Sequence, residues 1–207
     1  MSSALDAFTL LPVSFDPETQ RLSYPLPDPR IQQECNKVNA LHGLLLTEDA
    51  TKASNHVPPP PVPVLPMRSA AIDRLRKTGN EHFKKGEYGE AVRHYSFAID
   101  MAMSRPPWEP SGLTREELHV LHSNRSQGLM GMQQWPEALI DAEISIEMKK
   151  QGNMKAHWRR AKCLREMGRL EEAKAALDYG LEFGEDADLE ALRKDVISTI
   201  SALGGPK

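Results

Sequence analysis

The sequence predicts a mostly α-helical protein: three stacked helix pairs and a C-terminal capping helix, preceded by a small hairpin-plus-helix segment. Three observations carry this. A similar run recurs as Gly86-Glu-Tyr88-Gly-Glu90-Ala91, Gln134-Trp135-Pro-Glu137-Ala138 and Gly168-Arg-Leu170-Glu-Glu172-Ala173. The second and third alanines are 35 residues apart and the first two 47 apart. A repeat of about 34 residues is the length of a helix–turn–helix unit that must stack on its neighbours to bury its apolar face. Finally, Val57-Pro-Pro-Pro-Pro-Val-Pro-Val-Leu-Pro66 divides the chain, because prolines at this density continue neither helix nor sheet and favour an extended spacer.

Before that spacer, in a segment taken as residues 1–56, Phe8 to Phe15 is largely apolar, Asp16-Pro17-Glu18-Thr19-Gln20 supplies turn residues, and Arg21 to Leu26 follows. This predicts a short two-stranded hairpin. Asp28-Pro29 then has the form of an N-cap with proline at the first helical position. Ile31, Cys35, Val38, Leu41 and Leu45 are spaced to share one face of the helix that follows. So small a structure buries too little surface to offset its chain entropy, so this segment is expected to lean on the repeats or on another protein.

After the spacer, in a domain taken as residues 67–207, the 3.6-residue period takes over. The 47-residue interval carries an insertion, Arg105-Pro-Pro-Trp-Glu-Pro-Ser-Gly112, read as a loop from its proline and glycine content. Thr114 and Glu117 after it are spaced as a capping box. Small residues let paired helices cross closely: Gly79, Ala91 and Ala98, then Ser126 and Ala138, then Ala161, Ala173 and Gly180. Tyr95 is expected to fill the groove of the first pair. Beyond Gly184, Leu189, Leu192, Val196, Ile200 and Leu203 define a last amphipathic helix, which would cover the exposed end of the array.

Composition narrows the function classes. The 207 residues are 40% hydrophobic and 27% charged, with a formal net charge of −3. Residues 1–66 hold 4 basic and 7 acidic side chains, and the remainder 22 of each. A neutral array argues against a general nucleic-acid or anionic-membrane binder. No stretch approaches the roughly 18 apolar residues of a bilayer span, and Met1-Ser-Ser-Ala-Leu-Asp6 lacks the basic start of a signal peptide. Cys35 and Cys163, far apart in unlike segments, read as reduced thiols of a cytosolic chain. The scattered His82, His94, His119, His122 and His157 have no metal-site spacing. Gly86-Glu-Tyr-Gly89 lacks the lysine of a phosphate loop. Neither a nucleophile triad nor a cofactor motif stands out, so a binding module is expected rather than an enzyme.

The small-residue positions and the 35-residue interval, over about residues 69–203, resemble the tetratricopeptide-repeat (TPR) family. That resemblance implies a right-handed superhelix whose first helices line an inner groove. Counted from the aligned alanines, Arg76 and Asn80 fall on that surface in repeat one, Asn124 in repeat two, and Lys155 and Arg159 in repeat three. These five resemble the two-carboxylate clamp of chaperone-binding TPR domains, with Arg76 standing where the family has lysine. The resemblance implies a ligand such as the Glu-Glu-Val-Asp C-terminus of cytosolic heat-shock chaperones. A terminal aspartate carries two carboxylates, and donors converging from several helices must replace their water. Each well-paired cationic donor contributes about 1.5–3 kcal/mol. Less the ordering of a flexible tail, this suggests micromolar affinity, roughly −8 kcal/mol. Phe83 and Met130 are candidates for apolar contacts beside the clamp, with core packing the ordinary role of both. The bland alternative for Lys155, Arg159, Arg160, Lys162 and Arg165 is a solvated basic face.

The hairpin segment, the proline-rich spacer and the Pro-Pro-Trp loop together are similar to the small peripheral subunit of the fungal Sec complex for post-translational translocation. This implies a chain on the cytosolic face of the endoplasmic reticulum. Its N-terminal segment would join a membrane-anchored Sec subunit, and its clamp would receive a seventy-kilodalton chaperone delivering a preprotein. Two other readings are compatible with the same residues: a general cytosolic co-chaperone or adaptor, and a scaffold whose groove takes an internal peptide.

Overall fold

The computed structural model describes residues 11–47, 64, 66–106 and 109–203. The start of the predicted first strand at Phe8, most of the spacer, the tip of the insertion at Pro107-Trp108 and the side chain of Leu45 lie outside the described residues. The chain divides into two compact units, Met1–Pro63 and Val64–Lys207.

In the first unit, β1 (Ser14–Asp16) and β2 (Arg21–Ser23) pair antiparallel, Phe15 opposite Leu22. The turn between them is held by Asp16, whose carboxylate accepts the Glu18 amide at 2.9 Å and the Thr19 hydroxyl at 2.5 Å. Those bonds, the Thr19 hydroxyl first, keep the Asp16 carboxyl below its ordinary value. Asp28 caps helix α1 (Pro29–Thr47) through the Arg30 amide at 2.9 Å. Among the described residues, one side chain hydrogen-bonds the helix to the hairpin. Asn39 accepts the Leu22 amide and donates to the Leu22 carbonyl, both at 2.8 Å, so its amide acts as one more rung on the strand. The predicted apolar face is only partly realised: Cys35 is buried but Val38 is 47% exposed, because a three-residue strand is too narrow to cover the helix.

In the second unit the order is α2 (Pro66–Lys84), α3 (Tyr88–Met103), α4 (Ser111–Gly131), α5 (Trp135–Met148), α6 (Met154–Glu166), α7 (Leu170–Leu181) and α8 (Ala187–Leu203). Consecutive helices pack as antiparallel pairs. The first helices also pack on one another, α2 on α4 and α4 on α6, and α6 on α8, whereas among the described residues the second helices do not. The row of first helices therefore forms one continuous wall. Small residues make the crossings close, as the sequence predicts. Ala91, Ala98, Ser126, Ala138, Ala161 and Ala173 are fully buried. A Cβ at Gly79 would sit 2.6 Å from Tyr95 Cε1, so the tyrosine ring occupies the space that glycine leaves. Each helix pair turns through a residue of positive φ, Gly86 at 80°, Gln133 at 60° and Gly168 at 75°, the conformation that lets the chain reverse.

Three expectations are corrected. First, α4 opens at Ser111 rather than beside Thr114, so Ser111 and Gly112 of the predicted loop belong to the helix. Second, Glu117 does not close a capping box. It grips the buried Arg105 guanidinium at 2.9 and 2.7 Å, while Glu109 takes the third nitrogen at 2.5 Å and the Ser69 hydroxyl completes the cluster. Two carboxylates and a hydroxyl offset the desolvation of that arginine, and the base of the insertion is thereby pinned to α2 and α4. Third, Leu203 is 75% exposed although Leu189, Leu192 and Val196 are buried as expected, because the capping helix outruns the pair that it covers. Pro66, assigned to the spacer in the sequence, is the first residue of α2.

Candidate functional site

The structure brings Arg76, Asn80, Asn124, Lys155 and Arg159 to one groove of about 580 Å³ on the wall of first helices, with Ser123, Met154 and Asp186 also on its lining. The spacing explains this. Arg76 and Asn80 are four apart on α2, Lys155 and Arg159 four apart on α6, and Asn124 lies on α4 between them. A neighbouring hollow of about 320 Å³ continues from Lys155 and Arg159 past Gln127, Met154 and Trp158 to Asp186 and Asp188.

The five are held in different ways. Arg76 is half-buried and pairs with Asp73 one turn earlier, at 2.5 Å, so part of its charge is spent within its own helix. Lys155 is exposed, with no salt-bridge partner among the described residues. Asn80 Oδ1 accepts the Tyr95 hydroxyl at 2.7 Å and the Asn124 amide at 3.3 Å. Both lone pairs of that oxygen are thereby engaged, leaving the Asn80 N–H groups and one of Asn124 to face the groove.

Arg159 is 6% exposed. Its guanidinium donates to the Ser123 hydroxyl and, at 2.6 Å, to the Gln127 amide oxygen. Among the described residues no carboxylate pairs with it. Burial lowers its pKa to about 10, since a charge taken from water with only neutral acceptors is disfavoured. The same surroundings push the Cys163 thiol, also buried, up to about 12, which leaves it inert as a nucleophile. Cys35 and Cys163 are both free.

The two predicted apolar contacts are placed elsewhere. Phe83 packs on Tyr88, ring centres 5.3 Å apart, and Met130 packs against the main core; neither lines the groove. Met154 and Trp158 take that position instead. Ser123, Gln127 and the hydroxyl of Tyr95 are further members that sequence reasoning missed. Ser123 and Gln127 are four apart and so share the face of α4 that meets α6, the one signal that could have found them. The histidines do other work: His122 is buried against Asp141 at 2.8 Å, and His157 sits beside the Lys150 carbonyl at 3.0 Å. Among the described residues no group of three or more His, Cys, Asp or Glu is placed to hold a metal ion, and no helix is long and apolar enough to cross a membrane.

Chemically, the groove presents hydrogen-bond donors and, at Lys155 and Arg159, charges with no carboxylate partner among the described residues, with the Asp186 carboxylate also on its lining. That suits an anionic, multi-oxygen group such as a carboxylate pair.

Comparison with known proteins agrees with the fold. The chain is 39% identical over 131 residues to the ER protein translocation subcomplex subunit sec67 of Schizosaccharomyces pombe, covering 62% of this chain and 68% of that protein. Among solved structures, a chain of the Sec complex from S. cerevisiae superposes with a TM-score of 0.65 at 22% identity, covering 93% of this chain and all of that one. The first TPR of Spaghetti (RPAP3), bound to the HSP90 peptide SRMEEVD, superposes with a TM-score of 0.54 at 22% identity, covering 64% of this chain and 95% of that one. No family model matches the chain.

Proposed function

From the premise that the chain belongs to the family of the ER protein translocation subcomplex subunit sec67, we propose that it is a non-catalytic docking subunit of that machinery. In this reading its groove takes the acidic C-terminal tail of a cytosolic heat-shock chaperone of the seventy-kilodalton class, and so brings preproteins to the channel. The observation that carries it is Arg159: a buried guanidinium held by two neutral acceptors, opening onto a groove that also holds Asn80, Asn124 and Lys155. A protein interior tolerates such a charge poorly unless an anion completes it. The solved TPR of the same fold holds a peptide ending in Glu-Glu-Val-Asp, a chain end of the chemistry the groove suits.

The N-terminal unit is the proposed attachment to a membrane-anchored Sec subunit, which would place the chain peripherally on the cytosolic face of the endoplasmic reticulum. Its support is the exposure of Leu11, Val13, Phe15, Leu26 and Val38, each between 40 and 59% exposed in a unit with a single fully buried hydrophobic residue among those described. Apolar surface at this density on so small a body is a contact surface.

Both halves can be tested on isolated membranes. Microsomes carrying the chain should retain the chaperone, and retention should vanish when the chaperone's last four residues are removed; equal retention overturns the docking role. Deleting residues 1–56 should release the chain to the soluble fraction, and persistence on the membrane would move the attachment to the repeats.

A further inference from the structure

We propose that Tyr95 is a positioning residue for the groove: its hydroxyl locks the Asn80 amide so that this side chain shows an incoming carboxylate its hydrogen atoms and not its oxygen. This rests on the reading of the groove as a site for a carboxylate-bearing chain end. A free asparagine amide can turn by half a revolution, and its oxygen and nitrogen have nearly the same shape. Turned one way it donates two hydrogen bonds to a carboxylate; turned the other it sets oxygen against oxygen.

Three features remove that freedom. The Tyr95 ring is 2% exposed and seated over Gly79, so the hydroxyl cannot leave its place. A phenol bound there donates to Asn80 Oδ1 at 2.7 Å. The Asn124 amide, from the next repeat, donates to the same oxygen at 3.3 Å. Reversing Asn80 would set its N–H groups against the Asn124 N–H and leave the buried Tyr95 proton with no other acceptor among the described residues. The relay also fixes Asn124, which spends one N–H on Asn80 and keeps the other for the groove. An aromatic side chain that looks like simple filler for a glycine notch is thereby also the device that sets the polarity of two asparagines on different helices.

The test is a double-mutant cycle on the full chain, titrating a peptide ending Glu-Glu-Val-Asp and the same peptide amidated at its C-terminus. Tyr95→Phe keeps the ring over Gly79 and removes only the hydroxyl. It is expected to weaken the free-acid peptide about fivefold, in line with loss of one oriented hydrogen bond, and to leave the amidated peptide unchanged. In an Asn80→Ala background the same substitution should have no further effect. A second variant, Asn80→Asp, keeps an oxygen for Tyr95 and turns the groove-facing group into an acceptor, so it should bind more weakly than Asn80→Ala. Unchanged affinity in Tyr95→Phe, an equal loss with and without Asn80, or equal affinities of the Asp and Ala variants each overturn the inference. If the unaltered chain binds both peptides equally, the chain-end reading itself falls, and this inference with it.

Discussion

Two arginines of the repeat array, Arg125 part-buried on α4 and Arg159 buried beside it, are treated in opposite ways. At the junction of α3, α4 and α5, Arg125 meets both oxygens of Asp141 at 2.6 and 2.8 Å, with His122 on the same carboxylate at 2.8 Å and the Ser96 hydroxyl on the guanidinium at 3.0 Å. Across α4, Arg159 has, among the described residues, the Ser123 hydroxyl and the Gln127 amide alone. Burial works against charge at both places. Desolvation raises the Asp141 carboxyl, but the bonds from Arg125 and His122 outweigh it and hold the group below its ordinary value. At Arg159 nothing outweighs it, and the pKa falls to about 10. A closed ion pair serves the fold alone; an open one costs stability and leaves a binding position.

The largest expected effect breaks the closed site. Asp141→Asn leaves the part-buried Arg125 without its counter-ion and should destabilise the array by up to about 3 kcal/mol, read in denaturant unfolding. Where the variant remains folded, its affinity for a Glu-Glu-Val-Asp peptide should be unaltered. Arg159→Ala should do the reverse, weakening the peptide by about 1.5–3 kcal/mol, the value of a charge-assisted bond, with the helical circular-dichroism signal preserved. Similar losses of stability from both would erase the distinction between the two sites.

Titration separates them further. Because the folded-state carboxyl of Asp141 lies below its unfolded value, its stabilisation is complete above the ordinary 3.8 and is lost as pH falls through the lower folded value. Acid unfolding monitored between pH 5 and 2, against Asp141→Asn as control, should show this loss only in the unaltered chain. Arg159 acts at the other end of the scale. Its pKa, lowered by burial to about 10, should rise again when a carboxylate completes the site, so complex formation in alkaline solution should take up protons. The smallest effect is expected at the far wall. Asp73→Asn releases the half-buried Arg76 from its i,i+3 pair and should tighten the peptide by no more than about two- to threefold, the scale of a largely solvated ion pair.

Much of the array was legible in the sequence because its geometry is periodic. Ala91, Ala138 and Ala173 mark equivalent close crossings, and Gly79 opposite Tyr95 is a steric pairing that residue size alone announces. The five groove residues follow from the same register, since helical spacing decides which side chains share a face. What register cannot supply is who holds whom. Asp73 on Arg76, Ser123 and Gln127 on Arg159, and the Tyr95 hydroxyl on Asn80 depend on rotamers and on neighbours from other repeats. Glu117 shows the limit most clearly: its spacing from Thr114 fits a capping box, yet a buried Arg105 binds a carboxylate more strongly than a helix end does, and tertiary contact wins. Trp158, adjacent to Arg159, carries no signal of its role in the sequence, because an indole beside a cation reads equally as core.

The central claim is that Arg159 is left open for the carboxylates of a chain end, and calorimetric titration tests it most directly. The unaltered chain, titrated with a peptide ending Glu-Glu-Val-Asp and with its C-terminal amide, should bind the free acid about tenfold or more tightly than the amide, the loss of one charged partner, and Arg159→Ala should abolish most of that difference. Equal affinity for the two peptides in the unaltered chain would contradict the account.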